Sequence, residues 1–275
     1  MKIKKFMKIE LKIFLSNLID IILRKNQDYR RNLVLQMTNN NIFINDGIFT
    51  LFLPSENRIN YYPRGIAYRI SSLAKNYGLG NKIKIEKNDL VINIGANIGE
   101  LVIWICLRGA RVIAIEGDSK TFECLSRNCF GLNSELHNKV LWKTNEKVTF
   151  SIDSSNASST IEETGDCPQN ARKESVKAIK LDDLISKTQK YTHQKIKLLI
   201  GDCEGSEPEL ILGAMKILKN IEYISLDCGK ERKGKVSSQA EVEKILNRNN
   251  FQTIFKQKNK RYILICKNKK FIIKN

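Results

Sequence analysis

The chain has few of the residues that build metal or disulfide scaffolds. It holds two histidines, His137 and His193, and no Cys-x-x-Cys pair occurs among its seven cysteines. A zinc site is therefore not expected, and the odd, scattered cysteine count reads as reduced thiols of a cytoplasmic protein, each a small apolar residue. Long apolar runs are missing too. The stretch from Ile13 to Leu23 is interrupted by Asn17 and Asp20, and it falls well short of the ~20 apolar residues that span a bilayer. No small-residue cleavage site follows it, which argues against a signal peptide. The glycine fingerprint Gly-x-Gly-x-x-Gly is also absent, because Asn97 and Glu100 stand where its later glycines would fall counting from Gly95.

What is present in excess is positive charge. Lys and Arg number 47 against 29 Asp and Glu, a net +18 over 275 residues, and no acid follows Glu243. Two readings stand side by side: a selected anionic partner, or a chain-wide bias toward Lys, Asn and Ile. Ile9, Ile13, Leu15, Leu18, Ile19 and Ile22 can share one side of a basic N-terminal helix. That face can rest on an anionic membrane surface, making the protein peripheral there, or pack on the protein's own core. No specific nucleic-acid partner is predicted.

Residues 1–85 read as an N-terminal extension: a helix to about Asn26, a small hairpin around Asn45-Asp46-Gly47, and a helix from Ile66 to Tyr77 ended by Gly78. Residues 86–275 alternate strand and helix patterns, which predicts a doubly wound, mostly parallel α/β sheet. Strands are expected at Leu90–Ile94, Arg111–Glu116, Leu136–Trp142, Lys147–Ile152, Ser175–Lys180, Lys195–Ile200 and Ile221–Asp227. A closing hairpin is expected over Phe251–Phe255 and Tyr262–Cys266. Ser206 and Glu209 have capping-box spacing for a helix running to about Leu218, and Ser238 with Glu241 for another to about Asn249. The polar stretch from Ser154 to Lys173 is expected to be exposed and mobile.

In such sheets ligands bind beyond the carboxyl ends of the strands. Three ends carry suitable residues: Asn93 to Gly99, Glu116 to Asp118, and Asp202 to Glu207. The first is a strand, glycine turn and helix; the second places a carboxylate 21 residues past Gly95, where it can accept from two ribose hydroxyls. Asp202 and Glu204 offer a general base, but they alternate on an extended segment and share a cleft only if the backbone turns at Gly201 or Gly205.

Asp89-Leu-Val-Ile-Asn-Ile-Gly-Ala-Asn-Ile-Gly99, Ile115-Glu116, Lys180-Leu-Asp-Asp-Leu184 and Ile200-Gly-Asp-Cys-Glu-Gly-Ser-Glu207 resemble, in that order, the successive motifs of FkbM-type S-adenosylmethionine-dependent methyltransferases. The resemblance implies a seven-stranded, Rossmann-like methyltransferase sheet. It implies S-adenosylmethionine as cofactor and methylation of a hydroxyl on a sugar, glycan or small metabolite. By the same resemblance Gly95, Ala96, Asn97 and Gly99 wrap the methionine part of the cofactor, Glu116 holds its ribose, and Asp202 and Glu204 border the acceptor. Three positions depart from the family pattern: Asn93 replaces Asp in the cofactor strand, Gly117 follows Glu116 where Pro is common, and Gly201 replaces a bulky strand residue. The residues contacting adenine stay unassigned. The competing readings are a nicotinamide-dependent oxidoreductase on the same layout and a non-catalytic, degenerate methyltransferase held at an anionic surface.

Overall fold

A computed structural model of the chain describes residues 34–38, 41–167, 169, 171–187, 194–258 and 261–272. The expected helix to about Asn26 lies outside them. The first described element is a three-stranded antiparallel sheet, β1 (Val34–Thr38), β2 (Asn41–Asn45) and β3 (Thr50–Leu53). Its turn forms where the Asn45-Asp46-Gly47 step predicts one. Asn45 Oδ1 accepts from Gly47 N at 2.7 Å, and Asp46 Oδ1 from Phe49 N at 2.9 Å. The other oxygen of Asp46 accepts from Ile66 N at 2.9 Å, so the hairpin also supplies the acid at the N-terminus of helix α1 (Ile66–Asn76). A six-residue 3-10 helix, Glu56–Tyr61, joins the two.

The main sheet follows. In chain order its surroundings are β4 (Leu90–Ile94), α2 (Glu100–Cys106), β5 (Arg111–Glu116), α3 (Ser119–Asn128) and β6 (Ser134–Asn138). Then come β7 (Lys147–Ile152), β8 (Thr160–Ile161), β9 (Arg172–Lys177) and α4 (Leu181–Lys187). The chain continues through β10 (Ile196–Asp202), α5 (Glu207–Leu212), β11 (Ile221–Asp227), α6 (Gln239–Arg248), β12 (Phe251–Lys256) and β13 (Ile263–Asn268). Seven strands pair in the order β12-β13-β11-β10-β4-β5-β6. Only β13 runs against its neighbours, which is the closing hairpin expected from the sequence. β7, β8 and β9 form a separate three-stranded antiparallel sheet.

Strand β4 is buried along its whole length, as a central strand covered on both faces must be. On one face Val91, Val112 and Ile200 pack with α1, α2, α3 and the N-terminal sheet in a single apolar cluster. On the other, Ile92, Ile113 and Leu199 pack with α4, α5 and α6. Burying each such side chain contributes about 1.5–3 kcal/mol. The strand order reverses between β4 and β10, so the crevice of the switch point opens beside Ile94 and Asp202.

Several expectations are corrected. The strand expected at Leu136–Trp142 sits earlier, at Ser134–Asn138, and Leu141 makes only an isolated bridge to Ile179. The strand expected at Ser175–Lys180 runs Arg172–Lys177. Helix α5 stops at Leu212 rather than near Leu218, because Asp182 takes over the backbone groups that would continue it: its carboxylate accepts from Lys216 N and Ile217 N, and its own N donates to Gly213 O. The stretch expected to be exposed carries Thr160 and Ile161, each 3% exposed. Its hydroxyls satisfy buried groups that a polar loop in solvent would leave to water.

Candidate active site

Two glycines let the ends of β4 and β10 meet. A Cβ on Gly95 would lie 2.0 Å from the Asp202 carbonyl oxygen, and one on Gly201 2.1 Å from that of Ile94. No larger residue fits either position without moving backbone, which explains Gly201 in a strand of bulky residues. Beyond Gly95 the backbone turns through Asn97 at φ 53° and Gly99 at φ 101° into α2. The turn is tied to the neighbouring strand: Ala96 N donates to Ile115 O at 2.9 Å and Asn97 N to Glu116 Oε2 at 2.8 Å.

Glu116 therefore holds two turns at once. Its second oxygen, Oε1, accepts from Asp118 N at 2.9 Å. Burial raises its carboxyl above the usual range, and the two backbone N–H groups oppose that shift. Each carboxylate oxygen keeps a second lone pair for a ligand hydroxyl.

At the end of β10 the chain folds back through Glu204 at φ 48° and Gly205 at φ 94°. This is the turn that lets Asp202 and Glu204 face the same space. Glu207, fully buried, holds it: Oε1 accepts from Cys203 N at 3.0 Å and Gly205 N at 3.1 Å, and Oε2 from Ser238 Oγ at 2.5 Å. Asp227, at the end of β11, binds Arg261 at 2.6 Å, and Arg261 in turn lies 3.9 Å from Asp202. Burial, with Asp227 and Glu207 adding like charge, pushes Asp202 up to about 8, and Arg261 limits the rise. Glu204 is raised well above the ordinary carboxylate range by burial and then by Asp202.

These groups line a cavity of about 300 Å³. Gly95, Asn97, Glu116, Gly117, Asp202 and Glu204 all reach it. Asn93, Ala96 and Gly99 do not; they sit in the framework behind it. Gly117 packs on Phe150 and Val140, at 2.9 and 3.1 Å from its would-be Cβ, and these two with Leu141 form an apolar wall of the cavity. Its cover comes from the loop before β8, pinned by Tyr61 Oη donating to Asn156 O at 2.7 Å and Thr160 Oγ1 to Glu204 O at 2.6 Å.

Sequence reasoning missed Tyr61, Arg69, Phe150, Thr160 and Arg261 in the lining. It also misassigned both capping boxes. Ser206 Oγ meets Thr164 Oγ1 at 2.8 Å, Glu209 takes Arg232 in two contacts at 2.9 and 3.1 Å, and Ser238 is bound to Glu207. Tertiary partners outcompeted the local caps. No metal set was expected, but Asp202, Glu207 and Glu231 each bring one oxygen within 4.8 Å of the others. Asn93 is 1% exposed and neither of its amide atoms has a hydrogen-bond partner among the described residues.

Fold and site together define a doubly wound α/β protein with a cavity at its switch point, a buried carboxylate on one strand end and an acidic turn on another. The model of the methyltransferase FkbM domain matches residues 93–253, and the chain belongs to that family. Among solved structures, the ribosomal protein L11 methylase of Lactobacillus delbrueckii subsp. bulgaricus is 14% identical, covering 73% of this chain and 78% of its own, with a TM-score of 0.40. Magnesium protoporphyrin IX methyltransferase from Synechocystis PCC 6803, solved with bound SAM, is 13% identical over 74% of this chain and 77% of its own, at 0.41. The Methanococcus jannaschii fibrillarin pre-rRNA processing protein is 11% identical over 87% and 99%, at 0.42. No curated protein sequence matches the chain. No described helix is long and apolar enough to cross a membrane.

Proposed function

We propose that this chain is an S-adenosylmethionine-dependent methyltransferase acting on a hydroxyl oxygen of a sugar, glycan or small metabolite. The observation that carries the reading is that the Gly95 turn, Glu116 and the Asp202 turn of an FkbM-family chain line one cavity. The residues suit the cofactor. Glu116 keeps acceptor capacity for two ribose hydroxyls, and the Gly117, Val140, Leu141 and Phe150 wall suits a flat base. When bound, the cofactor supplies an electrophilic sulfonium methyl.

The chain's own contribution is alignment, exclusion of water and proton transfer. The cover from Asn156 to Ile161 shields the cavity, while Asp202 and Glu204 border its acceptor end. Asp202 is the base: with its carboxyl pushed up to about 8, it is a stronger proton acceptor than an ordinary aspartate. Thr160, Ser159 and Ser206 add hydroxyls suited to a polyhydroxylated acceptor.

Calorimetric titration of the purified chain with S-adenosylmethionine, S-adenosylhomocysteine and NAD tests the reading. The first two bind and NAD does not; no binding of either adenosyl ligand at millimolar concentration refutes it, and NAD binding alone turns it into the oxidoreductase reading.

A further inference from the structure

The 3-10 helix Glu56–Tyr61 and helix α1 carry two arginines to the glycine turn from outside the family-matched residues. Arg58 is 1% exposed, yet only one of its nitrogens is paired: Nη2 donates to Asn97 Oδ1, while Nε and Nη1 have no partner among the described residues. A buried cation with unpaired donors is costly unless an anion joins it. Arg69 reaches the cavity wall itself. Its Nε is also buried without a hydrogen-bond partner, 3.6 Å from Glu100 Oε1.

The carboxylates of this corner are already engaged, Glu100 in an ion pair with Arg69 as well as with Tyr62. Glu100 Oε1 accepts from Tyr62 Oη at 2.9 Å, and Glu116 accepts from the Asn97 and Asp118 backbones. Both guanidinium groups lie over the Tyr61 ring, at 5.2 and 5.6 Å, which holds the two cations around one aromatic post. Asn97 Oδ1 accepts from Arg58 and from Ile98 N at 2.8 Å, so its Nδ2 is the amide atom left to donate. One side of the cavity thus offers a guanidinium and an amide donor, backed by a second buried positive charge.

We propose that Arg69, together with Asn97 oriented by Arg58, binds the carboxylate at the amino-acid end of the cofactor, so that the segment before residue 93 completes the cofactor site. The inference rests on the S-adenosylmethionine reading. Arg69 contacts the ligand, and Arg58 is a positioning residue that acts through Asn97. An arginine–carboxylate pair is charge-assisted and geometrically selective. That selectivity separates it from a general contribution to folding.

The test compares S-adenosylhomocysteine with its decarboxylated form, which keeps the amine and lacks only the carboxylate, by titration against the full chain. The unaltered protein is expected to prefer the carboxylated ligand by about 10- to 100-fold. Arg69→Met and Arg58→Met should lose that preference while binding the decarboxylated ligand as before, and Arg69→Lys should restore part of it. Should Arg58→Met fail to fold, the Arg69 result decides alone. Equal weakening of both ligands, or a preference that survives Arg69→Met, overturns the inference. An unaltered chain that binds neither ligand overturns the cofactor reading instead.

Discussion

Replacing Gly201 by Ala separates packing from propensity. Glycine weakens a strand, and where the backbone tolerates Ala the exchange ordinarily stabilises by about 0.4–1 kcal/mol. Gly201 is not among the positive-φ residues, so nothing in its own conformation resists the methyl group. The resistance comes from across the sheet: the new Cβ would lie 2.1 Å from Ile94 O and 3.1 Å from Ile94 Cβ. Carbon and oxygen do not approach so closely, and the obstacle is backbone in the best-buried strand, so β4 and β10 must separate locally. Overpacking of this kind costs about 1–3 kcal/mol. At about 2–4 °C per kcal/mol for a domain of this size, Gly201→Ala should melt roughly 2–12 °C lower. Because Gly95 packs on the Asp202 carbonyl at the same junction, affinity for S-adenosylhomocysteine should fall as well. Thermal unfolding followed by circular dichroism, with a titration of the same sample, measures both. An unchanged or raised melting temperature would refute the close approach and remove the physical reason for glycine at this position.

Other substitutions address the ligand and the proton. Glu116→Ala removes the ribose acceptors, and with charge-assisted hydrogen bonds contributing about 1.5–3 kcal/mol each it should weaken S-adenosylhomocysteine at least tenfold in calorimetry; undiminished affinity takes Glu116 out of the site. For Asp202, whose carboxyl is pushed up to about 8, the base is the deprotonated form, so the transfer rate should rise with pH through that value and level off above it. Asp202→Asn should abolish that limb and most of the activity, and a variant that keeps the limb assigns the base elsewhere. Asn93→Leu tests the orphaned amide: losing an unpaired buried polar group should raise stability by about 1–2 kcal/mol, and a lower melting temperature would mean that Asn93 has a partner.

What the sequence disclosed was local, and what it concealed was distant. β4, its glycine turn, α2 and Glu116 are written in a continuous run of residues whose periodicity and glycine spacing have one compact solution. Arg58 and Arg261 sit in weakly patterned segments and look like two of many surface cations. Only the fold reveals that Arg58 meets Asn97 across 39 positions and Arg261 meets Asp227 across 34. The same distance misled where a local signal was strong. Ser206 with Glu209 is a sound capping-box spacing, but Thr164, 42 positions away from Ser206, and Arg232, 23 from Glu209, offer partners that a solvated cap does not. Polar composition likewise reads as a solvated loop from Ser154 to Lys173, whereas Thr160 and Thr164 use their hydroxyls on Glu204 and Ser206 inside the protein. A hydroxyl or a guanidinium takes its meaning from the group that faces it. In this chain those groups are brought together by the switch point, so the part of the cavity lining drawn from Tyr61, Thr160, Asp202 and Arg261 could be read only after the strands had been placed.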